Sequence, residues 1–244
     1  MNGDLGDQTT RVDERWKDER SEFARPLFQR TTVAAPAWDR TRMSYARFDE
    51  VTFEGGSFER VAFSENQAKG LAFRDVTLGG LEILFGDLED VLFERLGGHS
   101  LVLGDLSARS VRIAASQLAH VTLSGVKGAS VVLDACPSLA SLMVMYSELN
   151  GLHASNCGLT DLAIRRSRIG GPSALQTCQI AGLDLEESQV EDLSIADSTF
   201  EGAVHLPKAT LRRLRLERVV YGASVEVIDD GAVYEGDAFP GKKG

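Results

Sequence analysis

Apolar residues recur at every fifth position through the centre of this chain. The series begins at Phe48, continues through Phe53, Phe58 and Phe63, and keeps its phase as far as Leu133. An α-helix repeats every 3.6 residues and a β-strand every two, so neither produces this period. The pattern therefore predicts a repeat architecture whose unit is five residues long.

The phase shifts by one residue at three places and then resumes. The shifts lie near Cys136-Pro137, at Gly171-Pro172 and near Ala203, and the series ends at Tyr221. One extra residue beside proline or glycine is typical of a bulge that leaves neighbouring strands stacked. We count 35 units in all.

The residue two before each centre is a second inward position. From Ser147 onward small and large residues mostly alternate there. The true repeat is therefore at least ten residues, and four sides per turn would make it twenty.

These units resemble those of the pentapeptide-repeat family. Residues 46–50 and 56–60 match its small-x-large-x-x pattern, whereas Val61 and Leu101 place bulky aliphatics where the family prefers a small residue. The resemblance implies an all-β fold, a right-handed parallel quadrilateral β-helix. At four units per coil, residues 43–221 would form about nine coils.

The two ends lack the five-residue period. Residues 1–42 are predicted to be an N-terminal arm or cap, with a short helix from Val12 to Phe23. Either this arm covers the first coil, or Trp16, Phe23, Phe28 and Trp38 anchor a partner. Residues 222–244 are predicted to be a small β cap and tail with a turn at Asp230-Gly231.

Catalytic and metal-binding motifs are not found. No nucleotide-binding, zinc-protease or serine-hydrolase motif occurs, and the four histidines fall at outward positions on three sides. The three cysteines, Cys136, Cys157 and Cys178, are predicted to stack as small buried residues. We therefore expect a protein that is not an enzyme and has no cofactor or metal.

Charge and hydropathy narrow the partners. No apolar run reaches the roughly 18 residues of a membrane span, and no signal peptide is recognisable, so a cytoplasmic location is expected. A net charge of −10 disfavours nucleic acid and anionic membranes. Charge is banded: residues 181–201 carry seven acids and no base, and residues 202–221 carry five bases and one acid.

Three functions remain open. Some pentapeptide-repeat proteins mimic DNA and bind type II topoisomerases such as gyrase, but a DNA mimic needs continuous negative charge, which the bands interrupt. A second possibility is a homodimer or polymer that stacks coil on coil. The leading hypothesis is a scaffold that binds another protein through one face, because several apolar residues are predicted to point outward together. These residues are Leu84, Phe85, Met143, Met145 and Tyr146, with Trp16 and Phe23 from the arm.

Overall fold

The computed structural model describes residues 4–5 and 22–240. This part of the chain contains β-strands and connecting corners and no helix. The first half of the strands is β1 Asp4–Leu5, β2 Glu22–Ala24, β3 Leu27–Ala34, β4 Ala37–Asp39, β5 Arg42–Ser44, β6 Arg47–Glu54, β7 Ser57–Glu59, β8 Val61–Ser64, β9 Gln67–Lys69, β10 Ala72–Arg74, β11 Thr77–Leu78, β12 Leu81–Leu84, β13 Asp87–Glu89, β14 Val91–Glu94, β15 Gly97–Gly104, β16 Ser107–Ala108 and β17 Ser110–Ala114. The second half is β18 Gln117–Ser124, β19 Ser130–Asp134, β20 Ser138–Met145, β21 Glu148–Leu149, β22 Gly151–Ser155, β23 Gly158–Arg165, β24 Arg168–Ile169, β25 Ser173–Gln176, β26 Gln179–Asp184, β27 Gln189–Glu191, β28 Leu193–Ala196, β29 Thr199–Phe200, β30 Val204–His205, β31 Thr210–Glu217, β32 Val220–Tyr221, β33 Val227–Ile228 and β34 Val233–Gly236.

Every strand pairing is parallel, and partners lie about one coil apart in sequence. Phe53 pairs with Phe73, which pairs with Phe93, a step of 20 residues each time. Four five-residue units thus close one coil, and the predicted parallel, four-sided β-helix is confirmed. The faces are named by their inward centres: the first by Phe28, Phe48, Ala68 and Leu88; the second by Val33, Phe53, Phe73 and Phe93; the third by Trp38, Phe58, Leu78 and Gly98; the fourth by Met43, Phe63, Ile83 and Leu103.

The corners between faces have a left-handed backbone conformation. Twenty-five non-glycine residues of the described chain have positive φ, most of them five residues apart, as at Arg60 (55°) and Glu65 (56°). Each such residue costs of the order of 1 kcal/mol, since its Cβ crowds the backbone. The corner N–H groups donate to carbonyls of the next coil, as from Glu65 to Leu84 at 2.9 Å, so hydrogen bonds run continuously around the bends.

The three phase shifts are confirmed by the register. The step between Ile113 and Leu133 is 20 residues, whereas that between Leu118 and Leu139 is 21. The step lengthens again between residues 169 and 174, and once more between 200 and 204. Each extra residue therefore lies where the sequence places it, and the stack continues past it.

The β-helix has about eleven coils, so the prediction of about nine was too low. Strands β2 to β5, within residues 22–44, pair in parallel with the coil that follows. The repeats therefore begin at least as early as Glu22 rather than at residue 43. Eleven levels at the usual strand spacing give a rod roughly 50 Å long.

The early coils escaped prediction because their second inward positions are unusual. Their centres keep the five-residue phase at Phe23, Phe28, Val33, Trp38 and Met43. Pro26, Thr31, Pro36 and Thr41 stand two residues before four of these centres, where small or aliphatic residues were expected. The centre positions alone would have found these coils.

The C-terminal segment continues the stack instead of folding back as a hairpin. Strand β33 pairs in parallel with β30, and β34 pairs in parallel with β31. Phe239 is buried and packs edge-on against Phe200, with ring centroids 5.6 Å apart. This side chain covers part of the last coil's apolar interior.

The core changes character along the rod. Aromatic rings fill the early coils, where Phe73 stacks on Phe53 and on Phe93 at 5.2 Å each. Leucine, isoleucine and valine dominate the later coils. Buried serines there accept hydrogen bonds from the coil before: Ser167 Oγ from the Ser147 N–H, and Ser188 Oγ from the Ser167 N–H. Small polar residues at the second inward position thus satisfy backbone groups that the strand ladder leaves unpaired.

No helix in residues 4–5 and 22–240 is long and apolar enough to cross a membrane.

Candidate protein-binding surface

The corner that follows the fourth face carries three exposed aromatic side chains, and we call it the aromatic corner. Tyr45, Phe85 and Tyr146 are 52%, 54% and 59% exposed. They share one ladder, linked coil by coil through backbone hydrogen bonds. In order its members are Arg25, Tyr45, Glu65, Phe85, Asp105, Gly125, Tyr146 and Arg166.

The aromatic residues at this corner are costly for the fold. Their φ angles are 57° at Tyr45, 53° at Phe85 and 51° at Tyr146. Bulky residues seldom adopt this conformation, which glycine takes without strain. More than half of each side chain faces solvent, so core packing does not explain the choice of an aromatic residue.

The predicted inward and outward positions near Met143 are confirmed. Leu142 and Val144 are buried, Met143 and Met145 are half-buried on the outer surface, and Tyr146 is exposed. Likewise Leu84 is half-buried and Phe85 is exposed. The outward apolar residues are thus placed as the sequence indicated.

These residues form two patches on one side rather than a continuous cluster. The register runs from Leu84 through Gly104 and Ser124 to Met145, which separates the two patches by three coils, or about 14 Å. Leu84 leans over Gly104, whose missing side chain leaves room for it. A partner that contacts both patches must span this distance.

The proposed docking arm is corrected in part. Phe28 and Trp38 are buried at 3% and 2% exposure, so they are core residues and not anchors for a partner. Phe23 lies in strand β2, half-buried against the core, so the predicted helix does not extend to it. Trp16 and the other residues of that helix up to residue 21 lie outside the described residues.

Two adjacent faces are almost free of charge. Asp161 is exposed at the corner between these two faces, but the two positions that flank each inward centre of the third face carry no Asp, Glu, Lys or Arg between Glu59 and Glu201. Those of the fourth face carry only Glu82 between Arg42 and Arg165. Between residues 61 and 164 the described ion pairs lie on the first and second faces and the corners that follow them, as between Arg74 and Glu94 and between Arg112 and Asp134. A partner approaching the third and fourth faces therefore has few charges to desolvate.

The charge bands of the sequence become ion pairs between coils. The acidic band, residues 181–201, lies between two basic coils. Its carboxylates form ion pairs with basic residues of the coil before it and of the coil after it. The contacts include Arg165 with Asp184 at 2.7 Å, Arg166 with Glu187 at 3.1 Å, Glu187 with Lys208 at 3.1 Å, and Asp192 with Arg213 and Asp197 with Arg218, both at 2.5 Å. Much of the negative charge in this band is therefore locally neutralised.

A further ion pair between coils, that of Arg95 with Asp75, predicts a pH effect. Arg95 donates two hydrogen bonds of 2.7 Å to Asp75, and they hold the pKa of Asp75 below its ordinary value of 3.8. A depressed folded-state pKa stabilises the fold above the unfolded pKa, and this contribution is lost as the pH falls through the acid range. We expect the melting temperature of Asp75→Asn to fall less than that of the wild type between about pH 5 and pH 3.

Asp49→Asn is the matched control, since Asp49 has no ion pair among the described residues. Its melting curve should follow the wild type across this range. If the two variants respond to acid in the same way, the Asp75–Arg95 pair does not contribute as inferred.

Two clefts flank Phe85, and a third lies on the adjoining first face. One of about 560 Å³ lies between Tyr45 and Phe85, and one of about 430 Å³ lies beyond Phe85 toward Gly125. A longer groove of about 620 Å³ follows the first face. Asp87 lines all three clefts.

The histidines and cysteines provide no convergent site. His99 and His120, on neighbouring coils, contact edge-on at 5.1 Å, a pairing that the sequence did not indicate. The three cysteines are buried and free, and they stack as predicted. The hydrogen bond with Cys157 and burial raise the pKa of Cys136, so its thiol stays protonated. No group of three or more metal-binding side chains was found in the described part of the chain.

Comparison with known proteins gives the following. No family model and no curated protein matches the chain. Two solved structures are similar in architecture. QnrB1, a plasmid-mediated fluoroquinolone resistance protein, is 12% identical, with 88% of this chain and 94% of that chain covered and a TM-score of 0.33. HetL, a pentapeptide repeat protein involved in heterocyst differentiation regulation in the cyanobacterium Nostoc sp. strain PCC 7120, is 14% identical, with 88% and 89% covered and a TM-score of 0.29.

The deciding observation is the four-sided coil of five-residue units in this chain's own register. The chain has the pentapeptide-repeat fold.

Proposed function

We propose that this protein is a non-enzymatic scaffold that binds another protein through the fourth face and the aromatic corner. The observation that carries this proposal is the placement of Tyr45, Phe85 and Tyr146 on one ladder, exposed and in a backbone conformation that disfavours them. Exposed aromatic side chains are the commonest anchors of protein interfaces. They adjoin a nearly uncharged β-sheet surface.

The geometry suits a rigid docking surface. Backbone hydrogen bonds fix each corner to the next coil, so the aromatic side chains are presented with little conformational freedom to lose on binding. Tyr146 is held further by a hydrogen bond of 3.2 Å that it accepts from Arg166. Met143 and Met145 beside it add an adaptable apolar contact.

Glycine at the aromatic positions should separate stability from binding. In Phe85→Gly and Tyr146→Gly we expect the free energy of unfolding to stay level or rise by up to about 1 kcal/mol, because glycine relieves the strained φ. We expect the double variant to lose capture of the native partner. The measurements are urea denaturation and affinity capture from a lysate of the source organism, quantified by mass spectrometry.

Glu50→Gly is the matched control. Glu50 is a corner residue with a φ of 54°, and it lies at the corner that follows the first face, away from the surface proposed to bind. The Glu50→Gly variant should be stabilised for the same reason, and it should capture the same proteins from the lysate as the wild type. If the double variant captures the same proteins at wild-type levels, the aromatic corner is not the docking surface.

The same proteins test the two alternatives. DNA mimicry predicts that the purified protein changes gyrase supercoiling with or without a quinolone, and we expect no change because inter-coil ion pairs interrupt the negative surface. Coil-on-coil stacking predicts larger particles by light scattering after removal of residues 1–21. This cut spares the coil that starts near Glu22.

A further inference from the structure

Phe85 differs from the other two aromatic residues of this corner. The hydroxyl of Tyr45 forms a hydrogen bond with Glu65, which raises the pKa of Tyr45. The centre of its ring lies 6.0 Å from the Arg25 guanidinium. Tyr146 bonds to Arg166. The ring of Phe85 contacts no other aromatic ring and no cationic group among the described residues. Both of its sides open into clefts.

The charges around Phe85 are predominantly negative. The two clefts beside it are lined by three carboxylates, Glu65, Asp87 and Asp105, and by one ammonium group, that of Lys127. None of the three carboxylates has an ion pair in the described chain, in contrast with the acids of the inter-coil pairs. Asp105 leans over Gly125, whose missing side chain opens the second cleft.

From this arrangement we propose that Phe85 and its clefts bind an arginine side chain of the protein partner. The proposal rests on the proposed function and names the chemistry of the partner's contact. A guanidinium lies flat on an aromatic ring and forms paired hydrogen bonds with a carboxylate at its edge. The ring of Phe85 offers the face, and Asp87, which both clefts share, offers the carboxylate.

Arginine fits this surface better than the other candidates. An apolar side chain would cover the ring but leave three carboxylates partly desolvated and unpaired, which is unfavourable. A lysine would satisfy one carboxylate as a point charge but would not stack as a plane. The negative potential would also speed the approach of a basic segment.

A pair of short peptides tests the assignment. The probe is the acetylated, amidated peptide Gly-Ser-Arg-Gly-Ser, and the matched control carries citrulline, which keeps the shape of arginine without its charge. We expect the arginine peptide to shift NMR signals of residues around Phe85 and to bind at least about five-fold more tightly than the citrulline peptide. Raising the salt concentration should weaken the binding of the arginine peptide.

Two protein variants locate the contact. Phe85→Gly should abolish the specific shifts, and Asp87→Asn should weaken binding by about three-fold or more. Asn156→Gly, at the corner that follows the second face and with a φ of 55°, should leave them unchanged. Equal binding of the two peptides, or arginine-specific shifts that persist in Phe85→Gly, would overturn the proposal.

The outcome is separable from that of the proposed function. If the glycine variants lose partner capture but the two peptides bind alike, the docking surface stands and the arginine assignment fails. If the arginine peptide binds at Phe85 but capture survives the double variant, the peptide site is genuine and the scaffold proposal fails.

Discussion

Replacing Phe53 with alanine is expected to lower the free energy of unfolding by about 3–5 kcal/mol. Phe53 is 0% exposed, and its ring contacts rings on its own face and on the other three. The contacts, by centroid distance, are with Phe73 at 5.2 Å, Trp38 at 5.3 Å, Phe58 at 5.6 Å, Phe63 at 6.0 Å and Phe48 at 6.1 Å. Removing one ring leaves a cavity that backbone ladders on all sides prevent from collapsing.

The measurement is urea denaturation followed by circular dichroism, with the slope of the transition reported beside its midpoint. Phe85→Ala is the matched control, since it removes the same ring from the surface and should change the free energy of unfolding by less than about 1 kcal/mol. If Phe53→Ala costs no more than Phe85→Ala, the aromatic core does not stabilise the early coils as inferred. A lower slope would show that these coils unfold separately.

Replacing Gly98 with alanine is expected to cost about 2–4 kcal/mol. The five-residue period marks Gly98 as a centre where a large apolar residue would restore the repeat. The structure opposes this, because Gly98 has a φ of 125° and a Cβ there would lie 2.1 Å from the carbonyl oxygen of Leu78. That oxygen belongs to the backbone of the coil before and cannot move aside cheaply.

Gly97→Ala is the adjacent control. A Cβ at Gly97 meets nothing within 4 Å, and its φ is not in the left-handed range. Alanine there should be neutral or should stabilise the fold by up to about 1 kcal/mol, because it restricts the unfolded chain. Equal effects of the two substitutions in thermal and urea denaturation would contradict the close approach at Gly98.

The proposed function depends on a cost that the fold does not require. The aromatic corner keeps bulky residues at Tyr45, Phe85 and Tyr146, where glycine would be unstrained. Selection for binding explains such a choice, since natural proteins often give up stability at functional sites. The glycine variants test whether these residues lower the stability of the fold and are needed for binding.

The candidate site was predictable in part. The phase of the repeat placed Met143, Met145 and Tyr146 outward, together with Leu84 and Phe85. It did not show that Phe85 and Tyr146 occupy strained corners, because the sequence of a corner carries no single preferred residue: Arg, Glu, Asp, Tyr and Phe all occur there. The clefts beside Phe85 escaped prediction because they depend on which residues stack one coil away.

The sequence by itself determined the coil. A period of five with one-residue slips can be satisfied only by a chain that turns at regular intervals, and the slips at residues 136, 171 and 203 appear in the register where the pattern places them. The coil could be predicted because the alternation of inward and outward residues is a local property. The sequence of each five-residue unit shows which of its residues are buried.

Only the tertiary structure decided which side chains of the early coils pack together and how the charges of neighbouring coils meet. In the sequence, Phe28 and Trp38 were compatible with either a cap on the first coil or a docking arm, and stacking places them in the core. The sequence indicated separate acidic and basic surfaces. In the structure, a step of 21 residues between coils brings Asp197 into an ion pair with Arg218. Both depend on contacts between coils, which are distant in sequence, and the period within one coil carries no information about them.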